Sequence, residues 1–296
     1  MISLVDVVSV RNILGEAVLW NARTAKLWWT DIEGRCLFQY DPVSRALDRI
    51  QTPERLASFA FVADSDKLIA GFESGFAFFD PATGAVEWHY RLERGPSRGL
   101  RFNDGRTDRQ GRFWAGTMVE GGGQEPLGRL YCLDRRGQVT VLPDPVHISN
   151  ALCTSPDGTL LYFADSPQRR IFVYDLDPAS GALSGRRIFA ETPEGAYPDG
   201  ANVDREGFVW NAHWGAGRVV RYAPDGSIDR EVEIPSSQPS CVAFGGSELN
   251  LLFVTSACDG LKGDALLQQP SAGNVFVYNT DVTGLSDADF IYDGRG

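Results

Sequence analysis

Residues 101–118, with the sequence RFNDGRTDRQGRFWAGTM, contain the structural unit that recurs along this chain. The stretch ends in a short apolar strand, FWAGT, which starts at Phe113. The DRQG before that strand supplies Asp and Gly where a tight hairpin turn needs them. About ten residues earlier, Asn103 stands at the start of the preceding strand. The stretch therefore predicts a β-hairpin whose first strand begins with polar residues.

The apolar strand recurs six times through the chain. The copies are LWWTD from Leu27, LIAGF from Leu68, FWAGT from Phe113, LLYFAD from Leu160, FVWNAH from Phe208 and LLFVTS from Leu251. Their starts lie 41, 45, 47, 48 and 43 residues apart, and one four-stranded propeller blade takes about 40–50 residues. The copies are rich in aromatic and β-branched residues and lack a sustained 3.6-residue stripe, which disfavours a helical solenoid.

A second strand follows each copy at hairpin distance. These strands are RCLFQYDP, GFAFFDP, GRLYCLD, RIFVYDLDP, GRVVRYAPDG and GNVFVYN. Six such blades use up the chain, so we predict an all-β fold, a six-bladed β-propeller with a central channel that forms one domain over residues 1–296. We expect a strand near residues 2–10 to join the last blade and close the ring, because closure removes open sheet edges.

One position at the start of each innermost strand is always polar. It lies 9–11 residues before each recurring strand, and its occupants are Glu16, Ser58, Asn103, Asn150, Asp199 and Ser240. Rotation about the channel brings equivalent positions together near one mouth. Carboxylate and amide oxygens suit a hard divalent cation, Ca²⁺, Mg²⁺ or Mn²⁺ before Zn²⁺ or Fe²⁺. Taken singly, NDG and PDG are also turn signals and Glu16 fits a surface acid, so the prediction depends on the shared offset.

Charge and cysteine usage restrict the partners and the compartment. The 296 residues carry a formal net charge of -11, which disfavours nucleic acid and an anionic membrane and suits a small ligand. The five cysteines are widely spaced and form no C-x-x-C pair, so we expect buried thiols in a reducing compartment. No stretch approaches about 18 consecutive apolar residues. We therefore expect a cytoplasmic protein, and a monomer because heptads are missing.

The three histidines do not form the pattern that is typical of a zinc hydrolase. H-E-x-x-H does not occur, and His89, His147 and His213 have no metal-ligand spacing between them. We expect His213, which ends a recurring strand in NAHWG, to have a structural role.

Six segments of the chain carry a family resemblance. They are GEAVLW, WWTDI, RFNDGRTDRQGRFWAGTM, ISNALCTSPDGTLLYFADS, YPDGANVDREGFVWNAHWGAGRVVRY and QPSCVAFGG. Over nearly the full chain the sequence resembles the family that contains regucalcin, the senescence marker protein, and the bacterial gluconolactonases. The resemblance implies a six-bladed propeller with one divalent metal ion in its channel.

The resemblance also implies roles for particular residues. The metal ligands of the family map to Glu16, Asn150 and Asp199, and the residues that contact a lactone and its hydroxyls map to Arg101 and Asn103.

Two further positions compare less directly with the family. Some animal members bind substrate with an acidic residue shortly after the GTM stretch, where this chain has Glu120, with Glu125 as an alternative. The family commonly has Gly-Pro or Ser-Pro after the first-blade Glu, where this chain has Ala17 and Val18.

We therefore expect metal-dependent hydrolysis of a sugar lactone, such as glucono-, arabinono- or xylonolactone, to the aldonic acid. Calcium is the first candidate for the ion, and Asp199 is expected to act as general base. Two alternatives stay open at this point. One is a non-catalytic binding propeller braced by the ion, and the other is a propeller hydrolase acting on other lactones or on phosphotriesters.

Overall fold

The chain forms six four-stranded antiparallel sheets arranged in a ring. This computed structural model describes residues 2–93, 99–122 and 125–294. In each of these sheets the strands follow one another from the channel outward. The predicted six-bladed β-propeller is confirmed.

The 24 strands of the described residues fall into blades in chain order, except that β1 belongs to blade 6. Blade 1 contains β2 Gly15–Asn21, β3 Lys26–Asp31, β4 Cys36–Tyr40 and β5 Leu47–Gln51. Blade 2 contains β6 Leu56–Phe61, β7 Leu68–Phe72, β8 Gly75–Phe79 and β9 Val86–Arg91. Blade 3 contains β10 Leu100–Thr107, β11 Phe113–Val119, β12 Leu130–Leu133 and β13 Val139–Val141.

The second half of the ring repeats this arrangement. Blade 4 contains β14 Ser149–Thr154, β15 Leu160–Asp165, β16 Arg170–Leu176 and β17 Leu183–Glu191. Blade 5 contains β18 Tyr197–Val203, β19 Val209–Trp214, β20 Arg218–Tyr222 and β21 Ile228–Glu233. Blade 6 contains β22 Pro239–Gly245, β23 Leu251–Ser256, β24 Val275–Asn279 and β1 Ser3–Val8. Short helical turns span Glu120–Gly122, Ser166–Gln168 and Asp264–Leu267.

The N-terminal strand closes the ring. Strand β1 pairs antiparallel with β24, with Ser3 opposite Asn279 and Val8 opposite Val275. The last blade is therefore built from both ends of the sequence, as predicted. This pairing covers an edge that would otherwise be exposed.

Apolar side chains between neighbouring blades form the core. Phe76 of blade 2 packs on Phe102 of blade 3 with ring centroids 4.5 Å apart. Trp20 of blade 1 stacks on Phe253 of blade 6 at 5.8 Å. The recurring strands are buried on both faces, which explains why they read as continuous apolar runs rather than alternating patterns.

The C-terminal segment, residues 280–294, crosses the end of the channel opposite the polar ring. Asp287 in this segment forms an ion pair with Arg106, which is buried in the channel at the far end of β10. The Arg109 guanidinium donates to the carbonyl of Ser286 at 2.6 Å. Phe290 is fully buried, and its amide donates to the carbonyl of Phe61 at 2.7 Å. The segment therefore covers this end of the channel.

All five cysteines lie in the described residues and are free thiols, four of them buried and Cys258 partly exposed. Within residues 2–93, 99–122 and 125–294, no helix has the length and apolar character that a membrane crossing requires.

His213 is buried behind the channel wall. Its Nε2 lies 3.0 Å from the Tyr222 hydroxyl, and its Nδ1 has no hydrogen-bond partner among the described residues. Burial, assisted by the charge of Arg218, lowers the pKa of His213 to about 3. The neutral imidazole is therefore part of the packed blade.

We expect this histidine to make the fold acid-sensitive. Below pH about 6.5 the unfolded chain protonates His213 and the native state does not, so the free energy of unfolding falls as the pH drops towards 3. One proton contributes a slope of about 1.4 kcal/mol per pH unit to the free energy of unfolding. In His213→Phe this contribution to the slope should vanish. Urea denaturation of both proteins between pH 7 and pH 4 measures the difference. Parallel pH profiles would contradict this assignment.

Candidate active site

A cavity of about 340 Å³ opens at the start of the innermost strands. Five of the residues predicted for the site line it, and these are Glu16, Arg101, Asn103, Asn150 and Asp199. They come from blades 1, 3, 4 and 5, so the ring geometry alone brings them together. Apolar side chains complete the wall, among them Met118, Ile148, Tyr197 and Trp214.

A break in strand register occurs beside the polar position of every innermost strand. The pairing shifts between Glu16 and Leu19 in β2, and between Asn150 and Cys153 in β14. The other four innermost strands shift at the equivalent place. Bulges of this kind turn a side chain away from its regular direction and are frequent next to functional sites. Four of the polar side chains beside them line the cavity, and these are Glu16, Asn103, Asn150 and Asp199.

Two of these bulges hold an alanine in a left-handed conformation. Ala17 follows Glu16 with φ 49°, and Ala151 follows Asn150 with φ 57°. Non-glycine residues adopt this conformation at a cost of about 1–2 kcal/mol. Ala17 thus keeps the first strand in a bulged path even though the family's Gly-Pro or Ser-Pro is replaced.

A chain of hydrogen bonds connects the amides of the cavity. Arg101 Nη1 donates to Asn103 Oδ1 at 2.8 Å, and Asn103 Nδ2 donates to Asn150 Oδ1 at 3.1 Å. Asn150 Nδ2 in turn donates to Ser166 Oγ at 2.8 Å, and that hydroxyl donates to the carbonyl of Pro198 at 2.7 Å. Each amide is therefore fixed in orientation, with the Asn150 oxygen on the side of Asn103.

The carboxylates of the cavity repel one another. Burial and the charge of Asp104 raise the pKa of Glu16 to about 8. Burial and the charge of Glu16 raise the pKa of Asp199 well above its usual range. Asp199 Oδ1 is buried and has no hydrogen-bond partner among the described residues. A buried carboxylate oxygen in this state is an open position for a cation or a proton donor.

These features fit a bound divalent cation of the oxygen-preferring kind. Glu16 and Asp199 would contribute carboxylates and Asn150 an amide oxygen, a donor set that suits Ca²⁺ or Mg²⁺. In the part of the chain that the structure describes, no three His, Cys, Asp or Glu side chains converge on one point. The predicted set contains only two such residues, because its third member is an amide.

Glu120 lies outside the cavity wall, in an ion-pair network with two arginines. Both of its oxygens contact Arg55, at 2.6 and 2.9 Å, and Oε1 also accepts from Arg101 Nε at 3.2 Å. Arg55 contacts Glu73 and Glu33 as well. Glu125 is exposed and does not line the cavity. The structure thus places Glu120 beside Arg101 and leaves both oxygens of Glu120 engaged.

The two serines of the predicted ring do not line the cavity. The Ser240 hydroxyl donates to the carbonyl of Gly15, which joins blade 6 to blade 1. The Ser58 hydroxyl is buried without a partner among the described residues and lies close to the backbone of Gly71 and Gly105. Their short side chains remain between the blades, so the expectation of a complete six-membered ring was wrong at these two positions.

Sequence reasoning missed two residues of the site. Ser166 directly follows β15, and Asp104 follows Asn103 in β10. Asp104 is buried, accepts a hydrogen bond from the Leu152 amide at 2.8 Å and adds negative charge beside Glu16. The only available signal for Asp104 was its place in NDG, which also fits a turn. Ser166 carried no signal, because its role depends on the approach of β14 to β18.

We expect Ser166→Ala to weaken the binding of a divalent cation without unfolding the protein. The substitution removes the acceptor that orients Asn150, and loss of such a second partner lowers metal affinity about 10- to 100-fold. Calorimetric titration of the chelated protein with Ca²⁺ measures the change, and Ser166→Thr, which keeps the hydroxyl, is the matched control. Equal affinities for the alanine variant and the wild type would show that Asn150 needs no such support.

Comparisons with known proteins agree with this geometry. The SMP-30/gluconolactonase/LRE-like region matches residues 14–258. The L-arabinolactonase of Azospirillum brasilense is 43% identical over 292 residues, which cover 97% of this chain and 95% of that protein. The 6-deoxy-6-sulfogluconolactonase of Pseudomonas putida is 34% identical over 285 residues, which cover 95% and 96%.

A solved structure also matches this chain over nearly its full length. Regucalcin from Agrobacterium tumefaciens, described as a calcium-binding protein, superposes with a TM-score of 0.91 at 32% identity, covering 97% of both chains. The resemblance expected from the sequence is thereby confirmed. The chain belongs to the SMP-30/gluconolactonase/LRE-like family.

Proposed function

We propose that this protein is a sugar lactonase that opens an aldonolactone to its aldonic acid with the help of one divalent cation. The observation that carries the proposal is the convergence, in one small cavity, of an unpartnered buried carboxylate, Asp199, with the hydrogen-bonded pair Arg101 and Asn103. The relatives support the activity, since two of them are named for L-arabinolactone and for 6-deoxy-6-sulfogluconolactone.

The cavity suits a small polar ring. Its volume of about 340 Å³ lies at the lower end of the range for small-molecule pockets. Arg101 supplies planar donors for carbonyl and hydroxyl oxygens on one side. Asn103 donates its Nδ2 to the Ser149 carbonyl and to Asn150 Oδ1, so its own Oδ1 would accept from a substrate hydroxyl. Trp214 and Tyr197 supply an apolar surface for the C–H face of a sugar. A small polyhydroxylated ester therefore matches both halves of the wall.

In the proposed reaction the protein residues orient the lactone and transfer a proton. Arg101 and Asn103 hold the substrate oxygens, and their mutual hydrogen bond fixes the geometry of attack. Asp199 takes a proton from the attacking water as the C–O bond to the new carboxyl forms. The bond from the carbonyl carbon to the ring oxygen then breaks, and Asp199 returns the proton to that oxygen. The product is the open-chain aldonic acid.

Glu16, Asn150 and Asp199 would hold the cation. When bound, the ion would polarise the lactone carbonyl and offset the negative charge of the two carboxylates. Its presence would also explain why two buried acids are placed side by side. We propose Ca²⁺, since the regucalcin of Agrobacterium tumefaciens is described as calcium-binding and the donors are oxygens. The free thiols support a reducing compartment such as the cytoplasm.

The test measures the turnover of a panel of small esters, with proton release in weak buffer as the readout. L-Arabinono-, D-xylono- and D-gluconolactone represent sugar lactones, and a homoserine lactone and a phosphotriester represent the alternatives. We expect turnover above the spontaneous rate for the sugar lactones alone. A folded protein that turns over only a phosphotriester, or nothing under any divalent cation, would replace this proposal with the related hydrolase or with a binding propeller.

A further inference from the structure

One carboxylate in the cavity wall, that of Asp259, is not needed by the proposed chemistry. Asp259 lies in the loop between β23 and β24 of blade 6 and lines the same cavity as Arg101. Blades 3 and 6 are opposite one another in a ring of six, so Asp259 and Arg101 stand on opposite sides of the mouth. A ligand held by Arg101 therefore shares the cavity with this acid.

The backbone of Asp259 is held in place from two sides. Its amide donates to the carbonyl of Ile13 at 2.9 Å, and its carbonyl accepts from Gln238 Nε2 at 3.0 Å. The first bond connects the loop to blade 1 and the second connects it to the entry of β22. The fold therefore sets the position of the Asp259 backbone, and the exposed side chain extends from this fixed point.

The charge of Asp259 has no counter-charge among the described residues, and Asp259 is not one of the three predicted cation ligands. Glu120 balances Arg101, and a divalent cation would balance Glu16 and Asp199. The Asp259 carboxylate makes neither a hydrogen bond nor an ion pair with a described residue. An acid placed this way can accept hydrogen bonds from ligand hydroxyls, and it repels a ligand group of the same sign.

We infer that Asp259 determines substrate specificity by selecting neutral aldonolactones and excluding lactones that carry a sulfonate, phosphate or carboxylate on the carbon chain. The inference rests on the proposed function, because it concerns the same cavity. With the lactone carbonyl near Asp199 and its hydroxyls near Arg101, the far end of the sugar points to the mouth. A hydroxyl there can donate to Asp259, and an anionic group there meets a negative charge.

The test compares two lactones with the same carbon skeleton, glucono-1,5-lactone and 6-phosphoglucono-1,5-lactone. We expect the wild type to favour the neutral lactone in kcat/KM, and Asp259→Asn to reduce this preference about 10-fold. Asp259→Lys should reduce it further. Because the preference is electrostatic, it should also shrink in the wild type as salt is raised from 20 mM to about 500 mM. Asp66→Asn removes an equal charge from an exposed site outside the cavity and should leave the preference unchanged.

A preference that is the same in Asp259→Asn, or that does not respond to salt, would overturn the inference while leaving lactone hydrolysis intact. If the wild type hydrolyses neither lactone, turnover of L-arabinonolactone shows whether the proposed function stands or fails. Calorimetric binding of glucitol and glucitol 6-phosphate then decides the role of Asp259. Selective binding of glucitol that is lost in Asp259→Asn supports it, and equal binding, or no binding of either compound, overturns it.

Discussion

Asp199→Asn is expected to reduce kcat for an aldonolactone by about 10²- to 10⁴-fold, the contribution of a positioned general base. Asparagine has the same shape as aspartate, so the innermost strand of blade 5 and the cavity should keep their structure. It cannot accept the proton of the attacking water, and it is a weaker ligand for a cation. Initial rates of proton release at saturating lactone, at fixed Ca²⁺, measure the loss.

The same substitution should stabilise the metal-free protein. Asp199 is buried beside Glu16, and one of its oxygens has no partner among the described residues. Replacing this charge with a neutral amide removes the repulsion, so the free energy of unfolding in EDTA should rise by on the order of 1 kcal/mol. Asp48→Asn, on the exposed strand β5, is the control and should change neither quantity. A variant that keeps wild-type turnover, or loses stability in EDTA, would remove Asp199 from the proposed role.

Arg101→Lys is expected to lower kcat/KM about 10- to 100-fold, although it keeps the positive charge. The buried guanidinium contacts Asn103, the Phe102 carbonyl and Glu120 at the same time, and a lysine ammonium cannot reproduce that planar arrangement. Most of the loss should appear in KM if Arg101 binds the ground state, and in kcat if it acts in the transition state. Kinetics on L-arabinonolactone separate the two.

Glu120→Gln provides the matched comparison for Arg101. The resemblance to animal members implied a substrate contact for Glu120, and the structure shows both of its oxygens on Arg55. We therefore expect a smaller loss than in Arg101→Lys, since the variant disturbs Arg101 only indirectly. A loss as large as that of Arg101→Lys, confined to KM, would instead support direct contact between Glu120 and the lactone.

The ring of blades was predictable because a propeller repeats its pattern. The strands from Phe113 and Phe208 share the turns DRQG and DREG, and in both turns the Asp accepts a hydrogen bond from the Trp Nε1 that follows, at 2.9 Å. A local motif of this kind is visible in sequence, because turn and strand are neighbours in the chain. The closing strand was predictable for a different reason, since an open edge would be costly.

The core of the site was predictable because the repeat superposes equivalent positions. Glu16, Asn150 and Asp199 stand 9–11 residues before the recurring strands, and rotation about the channel brings them into one cavity. The bulges beside these residues could not be predicted from the sequence. At one of them Ala17 adopts a left-handed conformation. Neither alanine nor valine signals such a conformation in the way that glycine does.

Contacts between loops of different blades could not be predicted. The pairing of Arg55 with Glu120 spans 65 residues and depends on the approach of two loops that have no common pattern. Asp259 reaches the mouth because its loop is tied to Ile13, 246 positions earlier in the numbering, across the point where the ring closes. Such contacts follow from closure of the ring and leave no periodic trace in the sequence.

The most direct test of metal-dependent lactone hydrolysis in this cavity is proton release from L-arabinono- and gluconolactone by the wild type, before and after treatment with EDTA, and after Ca²⁺, Mg²⁺ or Mn²⁺ is added back. We predict that chelation abolishes turnover, that one of these ions restores it, and that Asp199→Asn is not restored by any of them. Turnover that survives complete removal of divalent ions, or that is equal in the wild type and Asp199→Asn, would contradict the account.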